Sequence, residues 1–320
     1  MGKVGRVAAV LAMFIAGTAG AQTAPPGNIW LIALQTKNDK TTVKSARKIT
    51  DNPQYTSQPH FVSDSALYYT QEVLTDSGSQ MDTIYYDIQS RSHQNLTRSQ
   101  VSEYSPTPLP NGNGFSTILV DNNAKQWLWL FNEKGTAKRK LVDAEPVGYQ
   151  VWLNNNQLLA FILGEPHTLQ LLSTSGHAEI IDDNIGASLW NIPGTDLYSY
   201  TKNPAPDNQP WTIMAYDPET HHTTALVNLP NEAYYMAWSD TGSALTSHGS
   251  KIVKWDFKNM PDERRDSLGQ DSASTSNGEN VAPDWELFVE LKDYCPDSIS
   301  RMHMSNNGEY LAVVCHSSQE

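Results

Sequence analysis

The sequence predicts an all-β protein: a six-bladed β-propeller whose ring is closed by a blade shared between the two chain termini. Three observations predict it. No long stretch places apolar residues at the three-four spacing of an amphipathic helix, whereas short alternating apolar runs recur between Gly, Asn, Asp, Ser and Pro clusters. One hairpin pattern repeats along the chain. The chain also opens on the second half of that repeat and closes on the first half.

Taken from the N-terminus, Lys3 and Arg6 precede an apolar run at residues 7–15, and Ala19-Gly20-Ala21 follows. This is the layout of a secretory signal peptide, cleaved between Ala21 and Gln22. The run is well short of the roughly 20 residues that a spanning helix needs, so no transmembrane anchor is expected in the mature chain. Export implies a periplasmic or secreted protein. Loss of the leader moves the formal net charge from −13 to −15, because it removes two cations and no anion. An acidic surface of that size repels nucleic acid and anionic lipid and leaves protein partners open.

Asn28-Ile-Trp-Leu-Ile-Ala-Leu and Ala46-Arg-Lys-Ile-Thr read as two strands with no hairpin before them. Six hairpins then follow. They read Phe61-Val-Ser-Asp-Ser-Ala-Leu, Leu109-Pro-Asn-Gly-Asn-Gly-Phe, Trp152-Leu-Asn-Asn-Asn-Gln-Leu, Trp190-Asn-Ile-Pro-Gly-Thr-Asp-Leu, Trp238-Ser-Asp-Thr-Gly-Ser-Ala-Leu and Met304-Ser-Asn-Asn-Gly-Glu-Tyr-Leu. A large residue sits three positions before each turn (Phe61, Trp152, Trp190, Trp238, Met304), except in the second hairpin, which has Pro108 there. The large residues are expected to fill the wedges between blades. The Asx-Gly turns supply the positive φ that short hairpins require.

A second strand pair follows each of the first five hairpins, as in Gln126-Trp-Leu-Trp-Leu-Phe with Arg139-Lys-Leu-Val. Each unit therefore holds four strands over about 38–48 residues, the size of one propeller blade. One interval is longer. Its excess at residues 258–284 is rich in Ser, Asn, Gly, Asp and Glu, which predicts a mobile surface insertion between the third and fourth strands of blade five. The organisation expected is a signal at 1–21 and a single propeller domain at 22–320.

The pattern of aromatic, Ser/Asn, Asp/Asn, Gly and Leu-x-Tyr/Phe, followed by Ile-x-x-Tyr-Asp and Leu-Thr, resembles the repeats of TolB-like propellers. Trp238-Ser-Asp-Thr-Gly-Ser-Ala-Leu, Ile84-Tyr-Tyr-Asp-Ile with Leu96-Thr97, and Ile213-Met-Ala-Tyr-Asp carry the resemblance. It covers the mature chain and implies the fold, since the motif residues are structural. The residues before Asn28 are too few for the N-terminal domain of TolB itself, which counts against a role in the Tol envelope system.

Chemistry is harder to find. The chain has no Gly-x-Ser-x-Gly elbow, no His-Glu-x-x-His and no phosphate-binding Gly-rich loop. Asp182-Asp183-Asn184 lacks the glycine and closing glutamate of a calcium loop and reads as a solvated turn. His60 and His303 share one repeat position, just before the large residue, in blades that are neighbours; Thr107, Val151, Leu189 and Ala237 hold it elsewhere. Two histidines fall short of the usual three ligands plus water, and His316 could be a third only by chance of geometry, so no metal or other cofactor is expected. His221-His222 reads as a surface turn. Cys295 and Cys315, the two cysteines, flank the closing hairpin. Simple register sets Cys315 opposite residue 298 or 299, and a bend at Pro296 would let Cys295 reach it as a disulfide, which export permits.

These readings predict a non-catalytic, monomeric, protein-binding scaffold with no catalytic residues. The candidate contacts are the 258–284 insertion and the connection 203–209. The alternatives are a channel-centred metal-dependent lyase or lactonase, and a relative of the propeller that gates prolyl-oligopeptidase-type hydrolases.

Overall fold

The computed structural model describes residues 27–76, 78–203, 210–259 and 285–316. The signal at 1–21, with Ala21 and Gln22, and nearly all of the 258–284 and 203–209 segments lie outside the described residues.

Six four-stranded antiparallel sheets stand around a central channel. Blade six takes its two outer strands from the N-terminus, β2 (Lys40–Lys48) and β1 (Asn28–Lys37). Blade one is β3 (Thr56–Ser63), β4 (Ala66–Thr75), β5 (Gly78–Asp87) and β6 (Ser92–Asn95). Blade two is β7 (Ser102–Pro108), β8 (Phe115–Val120), β9 (Gln126–Phe131) and β10 (Ala137–Lys140). Blade three is β11 (Val147–Trp152), β12 (Gln157–Ile162), β13 (Thr168–Ser173) and β14 (Ala178–Asp183). Blade four is β15 (Ile185–Asn191), β16 (Tyr198–Lys202), β17 (Thr212–Asp217) and β18 (His222–Asn228). Blade five is β19 (Met236–Trp238), β20 (Ser243–His248), β21 (Lys251–Asp256) and β22 (Glu286–Glu290). The inner strands of blade six are β23 (Ser298–Met304) and β24 (Tyr310–His316), and β24 pairs with β1 from Asn28↔Cys315 to Ala33↔Tyr310. Among the described residues no helix is long and apolar enough to cross a membrane.

The apolar residues gather between blades rather than within one central core. Six buried clusters form, one at each junction of neighbouring sheets. Between blades one and two, Phe115 and Phe131 stack at 5.4 Å against Tyr68. Phe61, Trp152, Trp238 and Met304 are buried, as the wedge reading expects. Each such side chain contributes about 1.5–3 kcal/mol by leaving water. Their polar edges are satisfied: the Trp152 and Trp238 indole N–H groups donate to Ser116 and Ser199 hydroxyls at 2.9 and 2.8 Å.

Trp190 packs against the cluster between blades four and five and donates its indole N–H to the Met236 carbonyl at 2.7 Å, and it also reaches into the channel. It is half-buried and stacks on His303 inside the channel, with centroids 4.7 Å apart. Asp182-Asp183 departs from the sequence reading, since it is the end of β14 rather than a solvated turn. Asp182 accepts from the Tyr200 hydroxyl at 2.5 Å and from the Lys202 ammonium, because the neighbouring blade presents both groups to it. Asp183 is exposed.

Cys295 lies in the turn before β23, and Ile299 opposes Cys315 in the ladder. The turn places Cys295 against Cys315 with Cα atoms 5.3 Å apart, inside the normal span of a disulfide.

Candidate functional site

The first strand of each blade lines the channel. Five of these six strands break register with their neighbour at the same depth, between Ser57 and His60, Tyr104 and Thr107, Val147 and Tyr149, Ile185 and Leu189, and Ile299 and Met302. Irregularities of this kind leave extra residues unpaired and re-aim side chains. In two of them, Gln58 and Ser105 take positive φ values of 59° and 53°.

Residues in or beside these breaks, together with Tyr235 just before β19 of blade five, which keeps its register, form one ring across the channel: Gln58, Ser105, Tyr149, Ala187, Tyr235 and Arg301. All six sit three positions before the large residue of their repeat, or before Pro108 in blade two. Arg301 dominates this layer. Its Nη2 donates to the Tyr149 hydroxyl and its Nη1 to Ser57 Oγ at 3.4 Å. Its guanidinium lies 4.2 Å from the centre of the Tyr235 ring and 5.5 Å from that of Tyr149, within cation–π range. Burial pushes the Tyr235 hydroxyl up to about 12 and raises that of Tyr55, so both are neutral at physiological pH. Among the described residues no carboxylate pairs with Arg301. Glu72, beside the mouth, instead accepts the Tyr55 backbone N–H at 3.2 Å.

Arg301 lines a cavity on each side. The outer one, about 70 Å³, opens where the inner strands begin, and its walls include Tyr55, Tyr104, Tyr149, Phe161, Trp211 and Tyr235. Gly148 and Gly186 make room for these rings. A Cβ on either would lie 2.6 Å from Phe161 or 2.5 Å from Trp211. The inner cavity, about 80 Å³, runs from Arg301 to His60 and Trp190. Two buried polar atoms of its wall have no protein partner, Ser105 Oγ and Gln150 Oε1. The Gln150 amide nitrogen is fully used, donating to Ser105 O, Thr107 Oγ1 and Ser116 Oγ at 3.1–3.2 Å.

The sequence-predicted histidines close the far side. His60 and His303 meet with ring centroids 4.4 Å apart, and Trp190 reaches across from blade four to both. His303 Nδ1 accepts the Phe61 backbone N–H at 2.9 Å, which places the proton of the neutral ring on Nε2. Burial lowers His60 to about 4; burial, then the neighbouring His60, lowers His303 well below the usual imidazole value. Both are neutral imidazoles. His316 is not brought to them, since its Nε2 meets Ser300 Oγ at 2.7 Å. Among the described residues, no group of three or more His, Cys, Asp and Glu could hold a metal ion. His221 is exposed in a turn beside Glu179, whereas His222 begins β18 and is half-buried.

Sequence reasoning found the His60–His303 layer and missed the Arg301 layer, although the same alignment contains both. The signal available was a lone arginine and two tyrosines at one repeat position, Arg301, Tyr149 and Tyr235.

No family model matches the chain, and no curated protein matches it. Solved structures do. A protein from Agrobacterium tumefaciens assigned as a TolB superposes with a TM-score of 0.62 at 9% identity, covering 92% of this chain and 100% of that one. TolB from Acinetobacter baumannii gives 0.54 at 9% identity, with 92% of this chain and 64% of that one covered. XC5397 from Xanthomonas campestris, a gluconolactonase, gives 0.56 at 10% identity, with 92% and 96% covered. Likeness at such identities concerns architecture alone: the chain carries the TolB-like six-bladed β-propeller fold.

Proposed function

We propose that this chain is an exported, non-catalytic binding propeller that receives a segment of a protein partner at the outer mouth of its channel. The observation that supports this reading is the mouth itself, a recess walled by Tyr55, Tyr104, Tyr149, Phe161, Trp211 and Tyr235 above a single arginine. Tyr, Trp and Arg are the residues that dominate binding energy in protein interfaces when they gather at a central, largely dry pocket. The acidic net charge favours a partner with a basic patch around the inserted segment.

Capture from envelope extract with the mature protein tests the reading. Trp211→Ala and Tyr235→Ala should abolish capture of the partner that the parent protein retains. Equal capture by all three would move the interface elsewhere. Mass spectrometry of the protein recovered from the periplasm or medium should find Gln22, or its cyclised form, first; an intact Met1 on a cytoplasmic protein would refute export.

A second reading has one observation in its favour, the approach of His60 to His303 at the bottom of the channel. It is a channel-centred metal-dependent lyase or lactonase. Turnover with added divalent metal, lost in His60→Ala, would promote it over the binding module.

A further inference from the structure

We propose that Arg301 is the anchor for a free carboxylate, one that enters the channel end-on through the aromatic mouth. The inference rests on the mouth being the binding surface and adds the chemistry it recognises.

The arginine is unusual in its company. A guanidinium carries its charge at every physiological pH. Buried cations are normally paired, because leaving one without a counter-charge is costly. Arg301 is held by a tyrosine hydroxyl, a serine hydroxyl and a tyrosine face, all neutral. These contacts orient the fork and leave the charge uncompensated among the described residues. The arginine also lines both cavities, so it is presented to whatever enters. A bidentate carboxylate matches the planar fork in charge and shape. Ser105, 8% exposed and with its Oγ lacking a protein partner, lines the inner cavity that Arg301 also lines, and offers a hydroxyl donor there. Water serves the unpaired Gln150 carbonyl across that cavity, which has room for several molecules.

The lining of the mouth narrows the ligand. The mouth offers aromatic walls and, among its lining residues, one guanidinium. An amino terminus would bring a second cation to Arg301. A carboxyl terminus, or a small carboxylic acid with a planar or apolar body, brings the opposite charge and packs on the rings.

The experiment uses the mature protein and three probes: N-acetyl-phenylalanine for a peptide C-terminus, its primary amide as the neutral control, and benzoate for a small acid. Calorimetric titration should show N-acetyl-phenylalanine binding at least about tenfold tighter than the amide. That preference should shrink with added salt, and Arg301→Met should abolish it. At a hundredfold excess over Kd the acid should raise the melting temperature by about 3 °C or more. Preference for N-acetyl-phenylalanine over benzoate assigns the site to a peptide terminus, and the reverse order assigns it to a small acid. Should Arg301→Met not fold, Arg301→Lys retains the charge without the fork and should weaken the preference severalfold. Equal binding of acid and amide, binding of neither, or a preference that survives both substitutions overturns the proposal. Partner capture that depends on Trp211 while the acid preference is absent would leave the mouth reading standing and reject only the anchor.

Discussion

Arg301 on β23 and Tyr149 on β11 are joined across the channel, guanidinium to hydroxyl, between blades that face each other from opposite sides of the ring. Among the described residues the inward cation at this contact has no opposite charge. Charge held for a ligand and charge held for the fold differ in what they do to stability, because a functional charge is a burden on the empty protein. Tyr149→Phe should cost about 1.5–3 kcal/mol, since it removes an acceptor from a charged donor. Arg301→Met should leave stability unchanged or raise it, as replacements of buried charge by apolar groups often do. Urea unfolding measures both. A loss of more than about 3 kcal/mol for Arg301→Met would make the arginine a structural strut.

Two buried titrating groups give opposite pH dependences. Glu103 on β7 is fully buried; burial raises it to about 7, and the Ser99 hydroxyl bond at 2.5 Å offsets part of that rise. Its Oε2 makes no well-formed hydrogen bond, although the nearby Thr97 hydroxyl also offsets part of the rise. The folded state therefore favours the protonated acid. That contribution is full below the ordinary value of 4.5 and is lost as pH rises to about 7. His60 works the other way. Burial holds it at about 4, so its contribution is full above 6.5 and is lost as pH falls to about 4. Glu103→Gln should be more stable than the parent at pH 7 by up to about 3 kcal/mol and equal to it at low pH. His60→Phe should flatten the acid side. Denaturant unfolding from pH 4 to 8 resolves the two limbs; a Glu103→Gln difference that does not grow with pH would refute the assignment.

The Cys295–Cys315 separation of 5.3 Å predicts a bond that staples the turn before β23 to β24, the strand that receives the N-terminal half of blade six. Thiol titration of the denatured, unreduced protein should find no free cysteine. Reduction should cost about 3 kcal/mol in the chain-entropy picture for a loop of this length, read as a lower urea midpoint. Two free thiols per chain would exclude the bond.

Gly114 should be irreplaceable. It opens into β8 at φ 124°, and a Cβ there would lie 2.1 Å from the Phe131 carbonyl oxygen, which the backbone holds in place. Gly114→Ala should therefore destabilise by more than about 2 kcal/mol, combining backbone strain with displacement of the Phe115–Phe131 stack. At Gly112 an added Cβ would meet nothing within 4 Å although φ is 72°, and alanine there should cost about 1 kcal/mol. Equal losses at the two positions would show that φ alone, and not the contact, sets the cost.

Much of the architecture was written locally. The hairpins announced themselves through Asx-Gly turns such as Asn307-Gly308, where φ is 69°, because glycine takes a left-handed conformation that other residues adopt only with strain. Strands such as Thr212–Asp217, where Ile213 and Ala215 are buried and Thr212 and Met214 are half-buried, showed the period-two alternation that a sheet between two neighbours imposes. The shared blade was legible because half a repeat at each end has one simple way to bury its edges. What the sequence alone could not determine is which inward positions carry function. Period-two alternation says that a side chain points inward, yet the register breaks near Gln58, Ser105 and Arg301 reset that alternation through backbone pairing with a neighbouring strand. The meeting of Arg301 with Tyr149, 152 residues apart in sequence, and of Trp190 with His303 exists only once the ring closes. Local patterns determined the blades; the channel is a property of all six together, and tertiary structure alone decided that its centre holds an arginine with no acid paired to it among the described residues.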